Sequence, residues 1–297
     1  MKKTLIIITA LLLSSILGYY AFRWGQRWYH ERKWQQEYEA FMAQAEHTAS
    51  ENVTVLRDSI LIPYQNSKRT VHVYVPPGYY DSDSTRYPVI YMMDGDGCFN
   101  ELENGAEEWQ IDEVIDSTVA AGGPGAIVIG IESASNRDEE YTPWPVKEYP
   151  RAHGERYMNW LVTDFKGWVD ANFRTLPGPE HTTIGGISRS GMMAYYAIMA
   201  HPETFGNALI QSPSMWVDED NLLAMKPVAD MSDKRVWVSV GELEAPMVPQ
   251  AQKAYDALAA AGVPEANRRI TVYPELGHWH ITWRESFAEG YPWLVKE

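Results

Sequence analysis

The stretch His181–Ala197, HTTIGGISRSGMMAYYA, constrains this chain more than any other. A β-branched run, Thr182-Thr183-Ile184, leads into Gly185 and Gly186, then Ser188, then a long apolar run beginning at Met192. β-branched residues suit a strand, and the apolar run suits a buried helix. Between them the chain has room only for a sharp turn, with Ser188 at its apex. A turn that tight forces the serine into a strained backbone conformation and requires small neighbours. Gly186 at −2 and Ser190 at +2 are small, although glycine is the usual residue at +2. A helix starting at the serine would aim free N–H groups at any negative charge that develops there. The bland alternative is a glycine-rich strand-to-helix turn with incidental serines, so the rest of the chain must decide.

The remaining segments alternate strand and helix patterns. Val53–Ile62 and Thr70–Val75 read as a hairpin across Gln65–Lys68. Pro88–Met93 and Ala126–Ile131 are continuous apolar runs of the buried-strand kind. Glu107–Val119 and Glu155–Phe173 read as helices, the second with Tyr157, Trp160, Leu161, Phe165, Trp168 and Val169 on one face. After the central serine come strands at Asn207–Gln211, Val236–Val240 and Ile270–Tyr273, a helix at Val248–Ala261 and a closing helix from about Arg284. Strands alternating with helices predict an α/β fold with a mostly parallel sheet covered on both faces.

Charge and the N-terminus bound the partners. The formal net charge is −15, and beyond residue 50 the chain carries 19 basic against 36 acidic residues. An acidic body argues against nucleic acid as a partner. Cys98 is the single cysteine, so no intrachain disulfide is possible. Leu5–Phe22 carries no charge and follows Lys2 and Lys3, and Tyr19, Tyr20, Trp24 and Trp28 sit where an interfacial belt would. Residues 1–23 therefore read as an uncleaved membrane-anchor helix and residues 24–50 as a polar helical stalk, with residues 51–297 as the folded body. The expected location is the cell envelope, anchored in the inner membrane with the body outside the cytoplasm; secretion after signal cleavage is the alternative.

A serine nucleophile needs a base, and the base needs an orienting group. In α/β-hydrolases these follow the serine as acid and then histidine, each on a loop after a strand. The strand Val236–Val240 runs into Gly241-Glu242-Leu243-Glu244, and the strand Ile270–Tyr273 into Pro274–His280 with His278 and His280. Glu242 and Glu244 are both candidate orienters. Gly277 permits a tight turn beside His278, which favours His278 over His280 as base. Two backbone donors are needed for an oxyanion. Arg189, which follows the serine, offers one amide; Gly95 or Asp96, in the loop after Pro88–Met93, offers the other. Asp94–Phe99 lacks the calcium-loop pattern, and no His/Cys cluster suits zinc, so no metal or cofactor is expected.

Taken together, PVIYMMDGDGCF (88–99), RDEEYTP (137–143), IGGISRSGMMA (184–194), SPSMW (212–216), VGELE (240–244) and GHWHITWR (277–284) resemble the esterase family of α/β-hydrolases. That family includes enterochelin esterases, S-formylglutathione hydrolases, feruloyl and acetylxylan esterases and mycolyltransferases. The resemblance runs over about residues 52–297, with SPSMW and VGELE most like the siderophore-esterase branch. It implies an α/β-hydrolase fold, Ser188 as nucleophile, Glu244 as acid, His278 as base, and Gly95, Asp96 and Arg189 amides as the oxyanion hole. Ser190 departs from the family glycine. The implied substrate is a small-molecule ester. Trp144, Tyr149, Trp216 and Trp279 are candidates for an aromatic pocket, and Arg137, Arg151, Arg156 and Arg189 for contacts to an anion, a combination that fits a catecholate siderophore lactone. A carbohydrate acyl or feruloyl ester suits the aromatics equally. Acyl transfer by the same residues and a non-catalytic binding protein on a hydrolase fold are the competing readings.

Overall fold

The computed structural model describes the backbone of residues 2–295, and the side chains of these residues other than 2–14, 16, 17, 27, 30 and 31. The chain divides into two compact units, Met1–His47 and Thr48–Glu297. The first unit contains one α-helix, α1 (Lys2–Met42). The helical stalk expected over 24–50 therefore stops at Met42. Most of the expected anchor, residues 1–23, has its side chains outside the described residues. Among the described residues no helix is long and apolar enough to cross a membrane.

The larger unit is built on one eight-stranded sheet: β1 (Val53–Ile62), β2 (Ser67–Tyr74), β3 (Val89–Met93), β4 (Ile127–Ile131), β5 (Thr182–Ile187), β6 (Asn207–Gln211), β7 (Arg235–Gly241) and β8 (Arg268–Tyr273). Their spatial order is β1-β2-β4-β3-β5-β6-β7-β8. β1 and β2 pair antiparallel, and β2 pairs antiparallel with β4. Every pairing from β4 to β8 is parallel. The hairpin turn falls at Pro63–Asn66, not at Gln65–Lys68, because Pro63 starts a 3₁₀ turn and Asn66 (φ 49°) tolerates the left-handed conformation that ends it.

Alternate side chains of the central strands feed two cores. On β3, Val89, Tyr91 and Met93 enter one, while Ile90 and Met92 enter the other. The first core takes α3 (Gly154–Trp160, a π turn at Leu161–Phe165, then Lys166–Asn172), α4 (Arg189–Ala200) and α5 (Val248–Ala260). The second takes α2 (Ile111–Ala120) and α6 (His280–Leu294). Helices thus cover both faces, as a parallel sheet requires. The expected residue 51 boundary sits slightly late. The amide of Thr48 reaches Asn100 Oδ1 (3.4 Å) and that of Ser50 reaches Asp112 Oδ2 (2.8 Å), so these residues belong to the folded unit.

This topology sends the loops after β3, β5, β6, β7 and β8 to one edge of the sheet. That edge is where open α/β sheets place their sites. Four non-glycine residues with positive φ stand at or just past these strand ends: Asp94 (59°), Ser188 (60°), Ser212 (43°) and Glu275 (59°). Each costs on the order of 1 kcal/mol or more, and such strain persists only where surrounding contacts hold it.

Candidate active site

Ser188 sits at the turn between β5 and α4 with φ 60° and ψ −114°. Its neighbours explain how the turn closes. A Cβ at residue 186 would lie 2.4 Å from the Ser190 carbonyl oxygen, so only glycine fits there. The Ser188 N–H donates to Gln211 O (2.9 Å), and Ser188 O accepts from Met192 and Ser214 amides. The Ser188 hydroxyl lies 3.2 Å from that of Ser214.

Ser190 is fully buried, and its hydroxyl has a defined job. It accepts the Ile187 N–H (2.8 Å) and donates to Asp94 Oδ2 (2.6 Å). Arg137 grips the same carboxylate in a fork, Nε to Oδ1 at 2.6 Å and Nη2 to Oδ2 at 2.7 Å. The serine that replaces a glycine at +2 therefore ties the backbone just before Ser188 to the residue just before Gly95.

Glu244 follows β7 and is 5% exposed. Its Oε2 lies 2.5 Å from His278 Nδ1, and its Oε1 accepts from Gly241 N (2.7 Å) and Ser212 Oγ (2.8 Å). Burial alone pushes this carboxyl up, but the hydrogen bonds from His278, Gly241 and Ser212 outweigh it and hold the pKa below the ordinary glutamate value. Glu242 is different: it is exposed, and its carboxylate accepts only the Glu275 amide (2.9 Å) among the described hydrogen bonds. Trp283 donates to Ser212 Oγ (3.1 Å) and stands edge-on to the His278 ring at 5.1 Å. His280 also packs edge-on to Trp283 (5.2 Å), but its Nδ1 is buried without a described partner and burial lowers its pKa. Of the two histidines, only His278 has a carboxylate to fix its tautomer.

A cleft of about 350 Å³ joins these groups, lined by Asp94, Asp96, Gly97, Asn104, Trp109, Ser133, Arg137, Ile187, Ser188, His278, His280 and Trp283. Gly95–Gly97 form a 3₁₀ turn at its edge. Glycine at 95 is required by the fold rather than by a ligand. A Cβ there would lie 2.1 Å from the carbonyl carbon of Gly130 on β4. Arg189 is the first residue of α4, and the leading amides of a helix have no carbonyl one turn back. Burial, with Asp94 and Glu132 nearby, pushes the Asp96 carboxyl up to about 6.

The structure separates the expected substrate contacts. Arg137 lines the cleft, but Trp144, Trp216 and Trp279 stand outside its lining. Trp144 donates to Asp218 (2.5 Å) and packs on Tyr196. Trp216 (53% exposed) lies under the Arg189 guanidinium, and Trp279 is 66% exposed. The arginine side chains are engaged within the protein. Arg189 binds Asp138, Thr142 and Tyr149; Arg151 binds Glu139; Arg156 stacks on Tyr64. The aromatic rings that line the cleft are Trp109 and Trp283; Trp283 falls inside the GHWHITWR segment, but neither ring was singled out as a substrate contact. Ser212 and Ser214 stood in plain view in SPSMW; their signal was two serines in a turn after a strand adjacent to β5.

An eight-stranded sheet in this order, with a serine on the β5–α4 turn and a paired acid and histidine on later loops, defines an α/β-hydrolase. Residues 62–294 match the family described as "Putative esterase", and the chain belongs to that family. It is 24% identical over 253 residues to Uncharacterized protein YbbA of Bacillus subtilis, covering 79% of this chain and 95% of the relative. It is 26% identical over 169 residues to the Iron(III) enterobactin esterase of Dickeya dadantii, covering 48% of this chain and 38% of that protein. A solved ferulic acid esterase superposes with a TM-score of 0.64 at 20% identity, covering 82% of this chain and 98% of that one. The last likeness is one of fold.

Proposed function

We propose that this protein hydrolyses carboxylic esters through an acyl-enzyme formed on Ser188. One observation carries the reading: Ser188, at the strained strand-to-helix turn, shares a cleft with His278, whose Nδ1 is held 2.5 Å from the buried Glu244 carboxylate. The short Nδ1 contact fixes the proton on that nitrogen and leaves Nε2 as the free base. Rotation about Cα–Cβ carries the Ser188 hydroxyl from Ser214 to the imidazole, which takes its proton as Oγ attacks the ester carbonyl. The amides of Arg189 and of the Gly95–Asp96 turn receive the oxyanion. The protonated imidazole hands its proton to the leaving alcohol, then deprotonates water, which releases the acid and restores Ser188. Glu244, kept anionic by its hydrogen bonds, stabilises the imidazolium in both halves.

The family match and the named esterases among its relatives support the reaction class. They leave two substrate types, siderophore lactones and feruloyl or related acyl esters. We further propose that the N-terminal helix anchors the enzyme in the inner membrane with the esterase unit on the envelope side. The uncharged Leu5–Phe22 run and the aromatic residues after it support that placement. An ester panel run with the wild type and Ser188→Ala side by side tests the catalytic assignment. The wild type should turn over short activated esters, and the variant should lose at least about a thousandfold in kcat. Full activity in Ser188→Ala would remove Ser188 from the mechanism.

A further inference from the structure

We infer that the cleft around Ser188 takes uncharged esters and disfavours those with a negative charge close to the carbonyl, with Asp96 setting the preference. The inference rests on the serine-esterase reading and adds a substrate class to it.

The charged groups lining the cleft are Asp94, Asp96 and Arg137, and the imidazoles of His278 and His280 stand beside them. Arg137 is the only guanidinium or ammonium in that lining, and it is spent. Two hydrogen bonds of 2.6 and 2.7 Å commit it to Asp94, and its guanidinium lies 5.5 Å from the centre of the Tyr141 ring. Asp94 cannot release it cheaply, because the same carboxylate accepts the Ser190 hydroxyl that braces the nucleophile turn. An anion that drew Arg137 away would leave a mostly buried carboxylate uncompensated, a costly exchange. The nearby cations are held too. Arg189 is paired with Asp138, and Arg284 with Glu107 and the Glu108 carbonyl.

Asp96 is what remains. It lines the cleft and has no ion-pair partner among the described residues. Its surroundings contain Asp94 and Glu132, whose charges add to its own, and His72, which is itself bonded to Glu132. With Arg137 and Asp94 cancelling, the cleft carries the charge of Asp96 in a body that is acidic overall. The flat walls, Trp109 and Trp283, present apolar rings. An uncharged acyl or aromatic group meets these surfaces without penalty. An anionic chelate or dicarboxylate half-ester meets Asp96 with no free cation in the lining to offset it.

The test uses matched p-nitrophenyl esters, the butyrate and the hemisuccinate, near neutral pH and low salt. For the wild type, kcat/KM should favour the butyrate by about tenfold or more beyond any difference seen in uncatalysed hydrolysis. Asp96→Asn should shrink that ratio severalfold; taking the ratio within each protein cancels any change the substitution makes to the oxyanion turn. Raising the salt should lift the hemisuccinate rate of the wild type selectively, a readout that needs no variant. Equal or better turnover of the hemisuccinate by the wild type overturns the inference. So does a ratio insensitive to both Asp96→Asn and salt. Butyrate turnover with a flat ratio removes the charge preference and leaves the esterase standing. If neither ester is turned over and Ser188 is unreactive, the esterase reading falls and the charge preference falls with it.

Discussion

Ser190 is the residue whose meaning changes most between sequence and structure. In the sequence it is a departure from the glycine expected two positions after the nucleophile. In the fold it relays the Ile187 N–H to Asp94, 96 residues earlier, and Asp94 in turn precedes the turn proposed to hold the oxyanion. No local pattern could reveal a partner that distant; the β3–β5 pairing brings it close. Restoring glycine should therefore impair the enzyme. Ser190→Gly is expected to lower kcat about tenfold with KM little changed, since a hydrogen bond to a charged group contributes roughly 1.5–3 kcal/mol. A double-mutant cycle with Asp94→Asn checks the link: the two losses should overlap rather than add. The two candidate orienters separate equally sharply. Glu244→Gln should cost about 10³–10⁴ in kcat while Glu242→Gln stays within about twofold, read from steady-state kinetics on one ester. In the sequence both were loop carboxylates three residues or fewer past a glycine. Burial and the His278 contact, which distinguish them, arise only when β7 and β8 lie side by side.

β3 and β4 were legible as short apolar runs, β5 as a β-branched run entering two glycines, and β3, β4, β6 and β7 fall within a residue of where the sequence pattern puts them. Helix starts were less legible, because loop chemistry sets them. α2 begins at Ile111 rather than Glu107, since Trp109 N is held by Gly97 O (2.8 Å) and Gln110 takes a positive φ. α6 begins at His280, a full turn before Arg284, so that Trp283 lies within it and can bond Ser212. The glycine of the Asp94–Gly97 loop carries a similar lesson. The sequence suggests that it admits a substrate, whereas the contact it actually permits is with the β4 backbone at Gly130. Gly95→Ala should therefore destabilise the fold by about 3 kcal/mol through overpacking, measured by chemical denaturation, before any effect on catalysis is read.

At the scale of the molecule, Thr48–Glu297 is one compact unit with its own two-faced core and the complete candidate site. A chain cut to residues 48–297 is expected to fold and to keep the ester turnover of the full chain, while only the full chain should sediment with membranes. Its stability should also depend on pH in an unusual direction. Burial pushes Glu108 from the ordinary 4.5 up to about 7, with Asp112 nearby adding to the effect. The folded state then binds more protons than the unfolded chain between these values, so stability falls as pH rises through that window. Thermal melts should show a midpoint a few degrees higher near the lower end of the window than above it, and Glu108→Gln should flatten the trend. The most direct measurement for the whole account is mass spectrometry of the intact protein and its peptides after reaction with a fluorophosphonate. One adduct per chain on the peptide containing Ser188, absent from Ser188→Ala and strongly slowed in Glu244→Gln, is the predicted result. Labelling elsewhere, or no labelling of a folded wild type, would contradict a nucleophilic Ser188.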